Sequence, residues 1–477
     1  MWTTLHFTAM ALLSLYGLHR LWLLACWSVE RKRPVKAPPS AGLGKAPPIV
    51  TVQLPLYNER FVAARLINAV ARLDWPGEKL EIQVLDDSTD VTGKIVDERA
   101  DHWRKKGVNM KVIRRAHRAG YKAGALKNGL MQSAGEYVAI FDADFVPPRD
   151  FLIRTAPCFT DERIGMVQAR WGFLNTGHSW LTRVQSLLLG PHFSIEHWVR
   201  FRKGLFFNFN GTAGIWRKKA IDSSGGWQSD TVTEDLDLSF RAQLAGWRFI
   251  YLEDLVVPSE LPVTLAAFRG QQRRWAKGSM QTARKILPAL LASRLSVSIK
   301  IEAVVTLLAN FCWLLGALIS LTVYPTIISR VGVGPYHLLR IDLPLILCTS
   351  VAILFYFLIY WLNSESKSSG LCLFLLPIFS IGLAPSLALS VLEGVFSRGG
   401  AFERTPKFGT CRRSRLSFSP LAYRQHRFFF ILFNTALLAY GLMPIFFACD
   451  RGTWAAIPFL LLFPLGYLTM IVKDLRE

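Results

Sequence analysis

Tyr137-Val138-Ala139-Ile140-Phe141-Asp142-Ala143-Asp144 is the stretch from which the rest of the chain is read. An unbroken apolar run leads into two carboxylates one residue apart, and Phe145, Val146, Pro147 and Pro148 close it. A short apolar run with no polar alternation suits a strand buried on both faces. Its acidic end puts negative charge at the carboxyl edge of a sheet, where open α/β sheets bind their ligands. Two carboxylates there suit a divalent cation holding a phosphorylated ligand. Asp-x-Asp alone is also what an ordinary acidic turn looks like, so its meaning depends on its surroundings.

Working outward, the same pattern repeats. Ile49 to Leu54 reads as a buried strand stopped by Pro55, and Glu59 to Leu73 has helical spacing. Ile82 to Leu85 is a second strand, ending at Asp86-Asp87-Ser88. Val91 to Lys106 is a polar helix, Met110 to Ile113 a strand, and Gly120 to Ala134 a helix. Such alternation predicts a mostly parallel sheet with helices on both faces. Two strands then end in paired carboxylates at one edge.

Beyond Pro148 the pattern loosens. Gly165 to Trp171 reads as a strand, and Trp180 to Arg202 as an amphipathic aromatic and basic segment, for the core or for a membrane surface. Phe206 to Trp216 carries aromatics around Asn208, Asn210, Gly211, Thr212 and Gly214. Thr233-Glu234-Asp235 opens a helix through Leu244, with Thr233 suited to the N-cap. Trp247 to Leu252 is a strand. Leu265 to Leu291 is a second amphipathic, basic segment, containing Gln271-Gln272-Arg273-Arg274-Trp275.

The 477 residues have a mean hydropathy of +0.27 and 51% apolar content, concentrated at the N-terminus and from about residue 300 onward. Leu5 to Val29 is apolar except around His19 and Arg20, and Arg31, Lys32, Arg33 and Lys36 follow. That order is the reverse of a signal peptide and predicts a retained anchor with a cytoplasmic basic flank. Pro34, Pro38, Pro39, Pro47 and Pro48 make a stiff linker. Apolar stretches near 303–328, 341–362, 371–396, 428–448 and 454–472 are long enough to span a bilayer. The loop with Arg398, Arg404, Lys407, Arg412, Arg413, Arg415, Arg424 and Arg427 belongs in the cytoplasm by its charge. An even number of crossings must then separate it from a cytoplasmic central domain. The 371–396 stretch, interrupted by Pro377, Gly382 and Pro385, is therefore expected to be interfacial or re-entrant, leaving five spans.

This gives three regions: 1–47, anchor and linker; 48–290, the α/β domain; 291–477, the C-terminal membrane region with the basic loop near 398–427. The net charge of +22 fits the anionic cytoplasmic leaflet and phosphorylated substrates. Without a zinc-finger or RNA-binding signature, nucleic acid is not an expected partner. Seven cysteines with no C-x-x-C pair form neither a disulfide framework nor a zinc site.

A membrane-attached α/β domain with carboxylates at its sheet edge suits transfer of a group from a nucleotide. Such a reaction needs a neutralised diphosphate leaving group, a base for the acceptor hydroxyl and a platform for the acceptor. Asp142 and Asp144 can hold the metal, Asp87 the nucleotide, Lys122 and Arg274 the diphosphate. Asp235 can be the base, and Trp275 can stack on a sugar. Each also has an ordinary structural use: a turn, a solvated helix charge, a helix-dipole partner or an interfacial anchor.

As an ordered set they resemble the membrane-integrated family 2 glycosyltransferases. The set is Leu54-Pro55-Leu56-Tyr57-Asn58-Glu59, Asp86-Asp87-Ser88, Asp142-Ala143-Asp144, Thr233-Glu234-Asp235 and Gln271-x-x-Arg274-Trp275. The chain is most similar to the cellulose-synthase-like A proteins, the β-mannan and glucomannan synthases, and their bacterial relatives. Val167-Gln168-Ala169-Arg170-Trp171 and Phe209-Asn210-Gly211-Thr212-Ala213-Gly214 are shared longer stretches. The resemblance implies a GT-A fold between transmembrane segments. It implies Asp142 and Asp144 binding the donor diphosphate through Mg²⁺ or Mn²⁺, Asp87 on the nucleotide, and Asp235 as general base. Gln271, Arg274 and Trp275 would bind diphosphate and acceptor. Phe402-Glu403-Arg404-Thr405-Pro406-Lys407 resembles the family's gating loop, with Arg404 where the pattern has Val.

The implied activity is inverting β-glycosyl transfer from a nucleotide sugar, UDP-glucose, UDP-N-acetylglucosamine or GDP-mannose, to a growing polysaccharide exported through the protein's own spans. The alternative is a non-processive transferase with a lipid acceptor. The implied location is an integral membrane protein with a cytosolic catalytic domain, in a bacterial cell membrane or a eukaryotic Golgi.

Overall fold

The computed structural model describes residues 1–33, 47–332, 335–364, 369–400, 404–409 and 424–477. Phe402, Glu403, Arg412, Arg413, Arg415 and the linker prolines Pro34, Pro38 and Pro39 lie outside the described residues. Among the described residues one sheet holds seven strands: β1 (Val50–Leu56), β2 (Leu80–Asp86), β3 (Met110–Ile113), β4 (Tyr137–Ile140), β5 (Ile164–Phe173), β6 (Gly214–Arg217) and β7 (Arg248–Ser259). Their order is β3-β2-β1-β4-β6-β5-β7. Every neighbouring pair is parallel except those of β6, which runs antiparallel to both β4 and β5.

The register pairs Gln53 with Ile140 on one side of β1 and Leu56 with Asp86 on the other. The acidic ends of β2 and β4 therefore share one edge, as the alternation predicts. Pro55 does not stop β1. It lies beyond the last residue paired with β4, so its missing N–H costs no ladder bond. The expected strand at Trp247–Leu252 is longer than predicted and reaches Ser259, paired with β5 across a register shift at Ala169/Arg170.

In chain order the helices are α1 (Trp2–Glu30), α2 (Ala63–Val70), α3 (Thr92–Arg104), α4 (Tyr121–Met131), α5 (Phe151–Thr155), α6 (Trp180–Pro191), α7 (Trp198–Arg202), α8 (Lys218–Ser223), α9 (Glu234–Leu244), α10 (Leu265–Ala292), α11 (Val297–Leu308) and α12 (Phe311–Ser329). A π-helical turn at His192–His197 joins α6 to α7. The apolar run of β4 is buried on both faces, which explains its lack of alternation. Tyr137, Ala139 and Phe141 enter a core with Leu66 of α2 and Val96 of α3. Val138 and Ile140 enter a second core with Leu126 of α4 and Leu238 of α9. Leu23, Leu24 and Trp27 of α1 join this second core, so the anchor helix is seated directly on the α/β domain.

Among the described residues, six helices are long and apolar enough to cross a membrane: Trp2–Glu30, Phe311–Ser329, Leu339–Asn363, Leu371–Phe396, Arg427–Asp450 and Trp454–Arg476. The polar residues of α1 are paired: Arg20 with Glu196 and with the Tyr16 hydroxyl, His19 with Glu302 at 2.7 Å. Arg200 joins the same cluster, 2.8 Å from Glu302.

The Leu371–Phe396 helix is not broken at Pro377, Gly382 or Pro385, contrary to the sequence reading. Gly382 serves close packing instead: a Cβ there would lie 2.5 Å from the Gly466 carbonyl oxygen. The helix runs alongside the amphipathic α10 in the same direction. Phe379 stacks on Phe268, Ser390 Oγ accepts from Arg273, and Glu393 pairs with Lys277 at 2.5 Å.

Candidate active site

The carboxyl edge of the sheet opens into a cavity of about 1200 Å³, counting its open mouth. Asp87, Lys122, Asp142, Asp144, Asp235, Gln271, Arg274 and Trp275 all line it. Asp87 follows β2, and Asp142 and Asp144 follow β4, because a parallel sheet delivers strand ends to one side. Lys122 and Asp235 stand in the first turns of α4 and α9. Gln271, Arg274 and Trp275 come from α10, where the i, i+3, i+4 spacing puts them on one helix face.

The two carboxylates at the end of β2 separate. Asp87 turns to the cavity and is held by both ends of the Arg115 guanidinium, at 3.1 and 2.5 Å. Asp86 turns away to Arg114 at 2.9 Å and accepts from the Ser88 N–H. The sequence pair is thus one cavity residue and one turn residue.

Lys122 is wedged between the acidic motifs. Its ammonium lies 2.6 Å from Asp142 Oδ1 and 4.0 Å from Glu234, and it donates to the Gly211 carbonyl at 2.9 Å. Burial opposes its charge, but Asp142, Glu234 and Asp235 outweigh burial and raise its pKa. Burial raises the pKa of Asp142 against the pull of Lys122. Burial likewise raises Asp235, and lifts Glu234 to about 7 with help from the Asp235 charge. The Glu234–Asp235 pair therefore titrates closer to neutrality than free carboxylates, as suits a general base.

Gly211 faces this group with φ +80°, and a Cβ there would lie 2.8 Å from Asp235 Oδ2. Only glycine allows both the backbone conformation and the approach. Thr233 occupies the N-cap position of α9 but makes no side-chain cap hydrogen bond, contrary to expectation. Packing takes its side chain elsewhere. Thr233 Oγ1 lies 3.2 Å from Thr282 Oγ1, and its methyl fills the space above Gly278, where a Cβ would meet it at 2.4 Å. Gln281 accepts from the Val232 N–H at 3.0 Å. The helices bearing Asp235 and Trp275 are locked together at this point.

Residues outside the predicted set also reach the cavity. Glu234 is next to Asp235 in sequence, and its only signal was the shared acidic motif. Glu59 lies in the first motif and is pushed up to about 8 by burial, despite Arg404 at 3.2 Å. From the basic loop, Arg404, Thr405 and Lys407 line the same wall, with Lys407 Nζ 2.8 Å from Asp144 Oδ2. Gln271 Oε1 is buried and makes no hydrogen bond among the described residues.

No group of three or more His, Cys, Asp or Glu that could hold a metal ion lies together among the described residues. Asp142 and Asp144 do fit a hard cation that takes one or two carboxylates and completes its shell with phosphate and water. Asp144 already holds one cation, the Lys407 ammonium, which shows that its oxygen is aimed at a positive charge.

Residues 137–380 match the family described as "Glycosyl transferase family group 2", and residues 51–222 match "Glycosyl transferase family 2". The chain belongs to the family 2 glycosyltransferases. This transferase is 49% identical over 252 residues to "Glucomannan 4-beta-mannosyltransferase 2" of Arabidopsis thaliana, covering 52% of the chain and 47% of the relative. It is 47% identical over 252 residues to "Glucomannan 4-beta-mannosyltransferase 1" of Oryza sativa subsp. japonica, covering 52% and 48%. The chain thus spans about half the length of the curated relatives it matches. Among solved structures, a mannosyltransferase from Pyrobaculum calidifontis, in complex with GDP-Man and Mn²⁺, aligns with a TM-score of 0.57 and 20% identity. That alignment covers 81% of this chain and 99% of that one. It establishes the GT-A-like fold.

Proposed function

We propose that this transferase moves mannose from GDP-mannose to a hydroxyl of a growing β-linked glycan, with inversion at the anomeric carbon. The observation that supports it best is the meeting of five sequence motifs in one cavity, with carboxylates on one wall and the Gln271, Arg274, Trp275 face on another. The mannose and the glycan acceptor are read from the named activities of the plant relatives. GDP-Man is also bound in the Pyrobaculum calidifontis mannosyltransferase structure.

Asp235 takes the proton from the acceptor hydroxyl. The freed oxygen attacks the anomeric carbon from the face opposite the diphosphate, the carbon–oxygen bond to the diphosphate breaks, and an α-linked donor gives a β-linked product. Asp142 and Asp144 would hold Mg²⁺ or Mn²⁺, whose charge stabilises the departing diphosphate. Arg274 adds positive charge on the same side, and Asp87, fixed by Arg115, contacts the nucleoside. Trp275 gives the acceptor sugar a flat apolar surface. Lys122 sets the charge balance between donor and base as well as facing the diphosphate.

The α/β domain faces the cytosol, where nucleotide sugars are made. The Leu371–Phe396 helix lies with α10 at the interface, which leaves five crossings and keeps the basic loop on the cytosolic side. Product then leaves through the spans. The test is purified protein with GDP-mannose, UDP-glucose and UDP-N-acetylglucosamine, each with Mg²⁺ or Mn²⁺, followed by linkage analysis. A β-linked mannose polymer made from GDP-mannose is the expected product. A single sugar on lipid would establish the glycolipid alternative.

A further inference from the structure

Asn210 precedes Gly211, whose carbonyl takes the Lys122 ammonium and whose α-carbon stands against Asp235. Asn210 lines the cavity, but its side chain is engaged within the protein. Asn208 Nδ2 donates to the Phe209 carbonyl at 3.2 Å, which fixes the orientation of the Asn208 amide. The same nitrogen donates to Asn210 Oδ1 at 3.0 Å, so Oδ1 is an acceptor. His192 Nε2, 3.1 Å from that oxygen, is then a donor. Asn210 Nδ2 in turn donates to His197 Nε2 at 2.7 Å. His197 suits the acceptor role: burial and the charges of His192 and Arg200 hold its pKa well below the ordinary value. The Asn210 N–H completes the set, donating to Gln168 Oε1 at 3.1 Å.

The other ring nitrogen of His192, Nδ1, lies 3.3 Å from Glu196 Oε2. A carboxylate only accepts, so Nδ1 donates as well. Burial opposes the charge of Glu196, but Arg20, the His192 hydrogen bond and Arg200 outweigh burial and hold the carboxyl well below its usual range. Arg20 of α1 pairs with Glu196, Arg200 lies 3.2 Å away, and the Tyr356 hydroxyl donates at 3.3 Å. His192 and Glu196 both stand on the π-helical turn His192–His197, a form of helix frequent at functional sites. One line of contacts therefore runs from the anchor helix through Glu196, His192 and Asn210 to the backbone beside Asp235.

We propose that His192 is a positioning residue for the transfer reaction: by holding the Asn210 side chain it fixes the Gly211 backbone against Asp235 and Lys122. Glu196, anchored by Arg20 of α1, sets the orientation of the His192 ring. His192 acts through Asn210 and not on the reacting atoms. The inference rests on the reading of Asp235 as the base.

The test measures kcat, donor KM and thermal midpoint on the full chain in detergent, with activity expressed per folded protein. The variants are His192→Ala, Asn210→Ala, the double variant, His192→Gln, His192→Asn and Asp235→Asn. His192→Ala and Asn210→Ala should each lower kcat about tenfold to a hundredfold, the range for a lost charge-assisted hydrogen bond, with donor KM within about twofold of wild type. Because one acts through the other, the double variant should fall no further than the larger single loss. His192→Gln puts an amide nitrogen near the place of Nε2 and should restore most of the rate. His192→Asn puts it near Nδ1 and should behave like His192→Ala. This Gln and Asn pair decides the matter if His192→Ala fails to fold. Losses that multiply in the double variant, or equal rates for His192→Gln and His192→Asn, overturn the proposal. If Asp235→Asn is inactive while His192→Ala turns over like wild type, the positioning role is wrong and the base reading stands. If Asp235→Asn retains near-normal turnover, the base reading fails and the positioning role fails with it.

Discussion

Lys122→Met removes the ammonium that lies 2.6 Å from Asp142 and 4.0 Å from Glu234. At an effective dielectric constant of about 20, a unit charge 4.0 Å from Glu234 contributes at most about 4 kcal/mol to keeping it ionised. About 1.4 kcal/mol moves a titration tenfold in proton concentration. The loss therefore moves the pair's ionisation to higher pH by between one unit, if a third of the interaction is realised, and about three. Glu234 is held near 7 in the intact site. A base must be ionised, so activity falls as pH drops through the pair's titration. In the variant this acid limb moves upward, and kcat falls at any pH within or below the displaced titration, by up to about tenfold for each unit of displacement. The assay is kcat against pH for transfer from a radiolabelled nucleotide sugar, with Lys122→Arg as the charge-preserving control. A variant whose acid limb stays where the wild type has it, whatever its KM for donor, refutes the electrostatic role. A wild-type acid limb below pH 5 refutes the raised pair itself.

Three further outcomes follow from particular contacts. Gly211→Ala places a Cβ 2.8 Å from Asp235 Oδ2 at φ +80°. The backbone strain alone costs about 1–2 kcal/mol, so the thermal midpoint should fall by a few degrees, and kcat should drop at least about a hundredfold at temperatures where the variant is folded. Gly278→Ala drives a Cβ to 2.4 Å from the Thr233 methyl and should destabilise the protein by about 1–3 kcal/mol. The added substitution Thr233→Ala should restore most of that loss in a double-mutant cycle, and strictly additive losses would contradict the packing account. Arg115→Ala frees Asp87 from its bidentate clamp. Donor KM should rise about tenfold or more at nearly constant kcat, the size expected for losing charge-assisted hydrogen bonds.

The sequence is most legible where one physical requirement dominates. Tyr137 to Phe141 had to be apolar throughout because it is packed on both faces, and the carboxylates had to follow because parallel strands end at one edge. The motif residues are legible for the same reason: donor chemistry fixes their types. β6 was not legible as a strand. It has four residues, no alternation, and a glycine at 214 that leaves room for the Phe209 ring. Thr233 and Pro55 were misread because local rules yield to neighbours distant in the chain. Thr233 packs on Gly278, and Pro55 has no β4 partner to lose. Asp86 and Asp87 look equivalent until Arg114 and Arg115 divide them. Lys407 could not be placed at Asp144, nor Arg404 at Glu59, by spacing, since only the tertiary fold brings the C-terminal segment over the sheet edge.

Asp235 is the proposed base of this nucleotide-sugar transferase. The most direct measurement compares wild type and Asp235→Asn in donor affinity, by calorimetry with Mn²⁺ present, and in sugar transfer on the same preparation. The predicted result is wild-type donor affinity with transfer reduced at least about a thousandfold, within the range of a lost general base. Near-normal turnover by Asp235→Asn would contradict it.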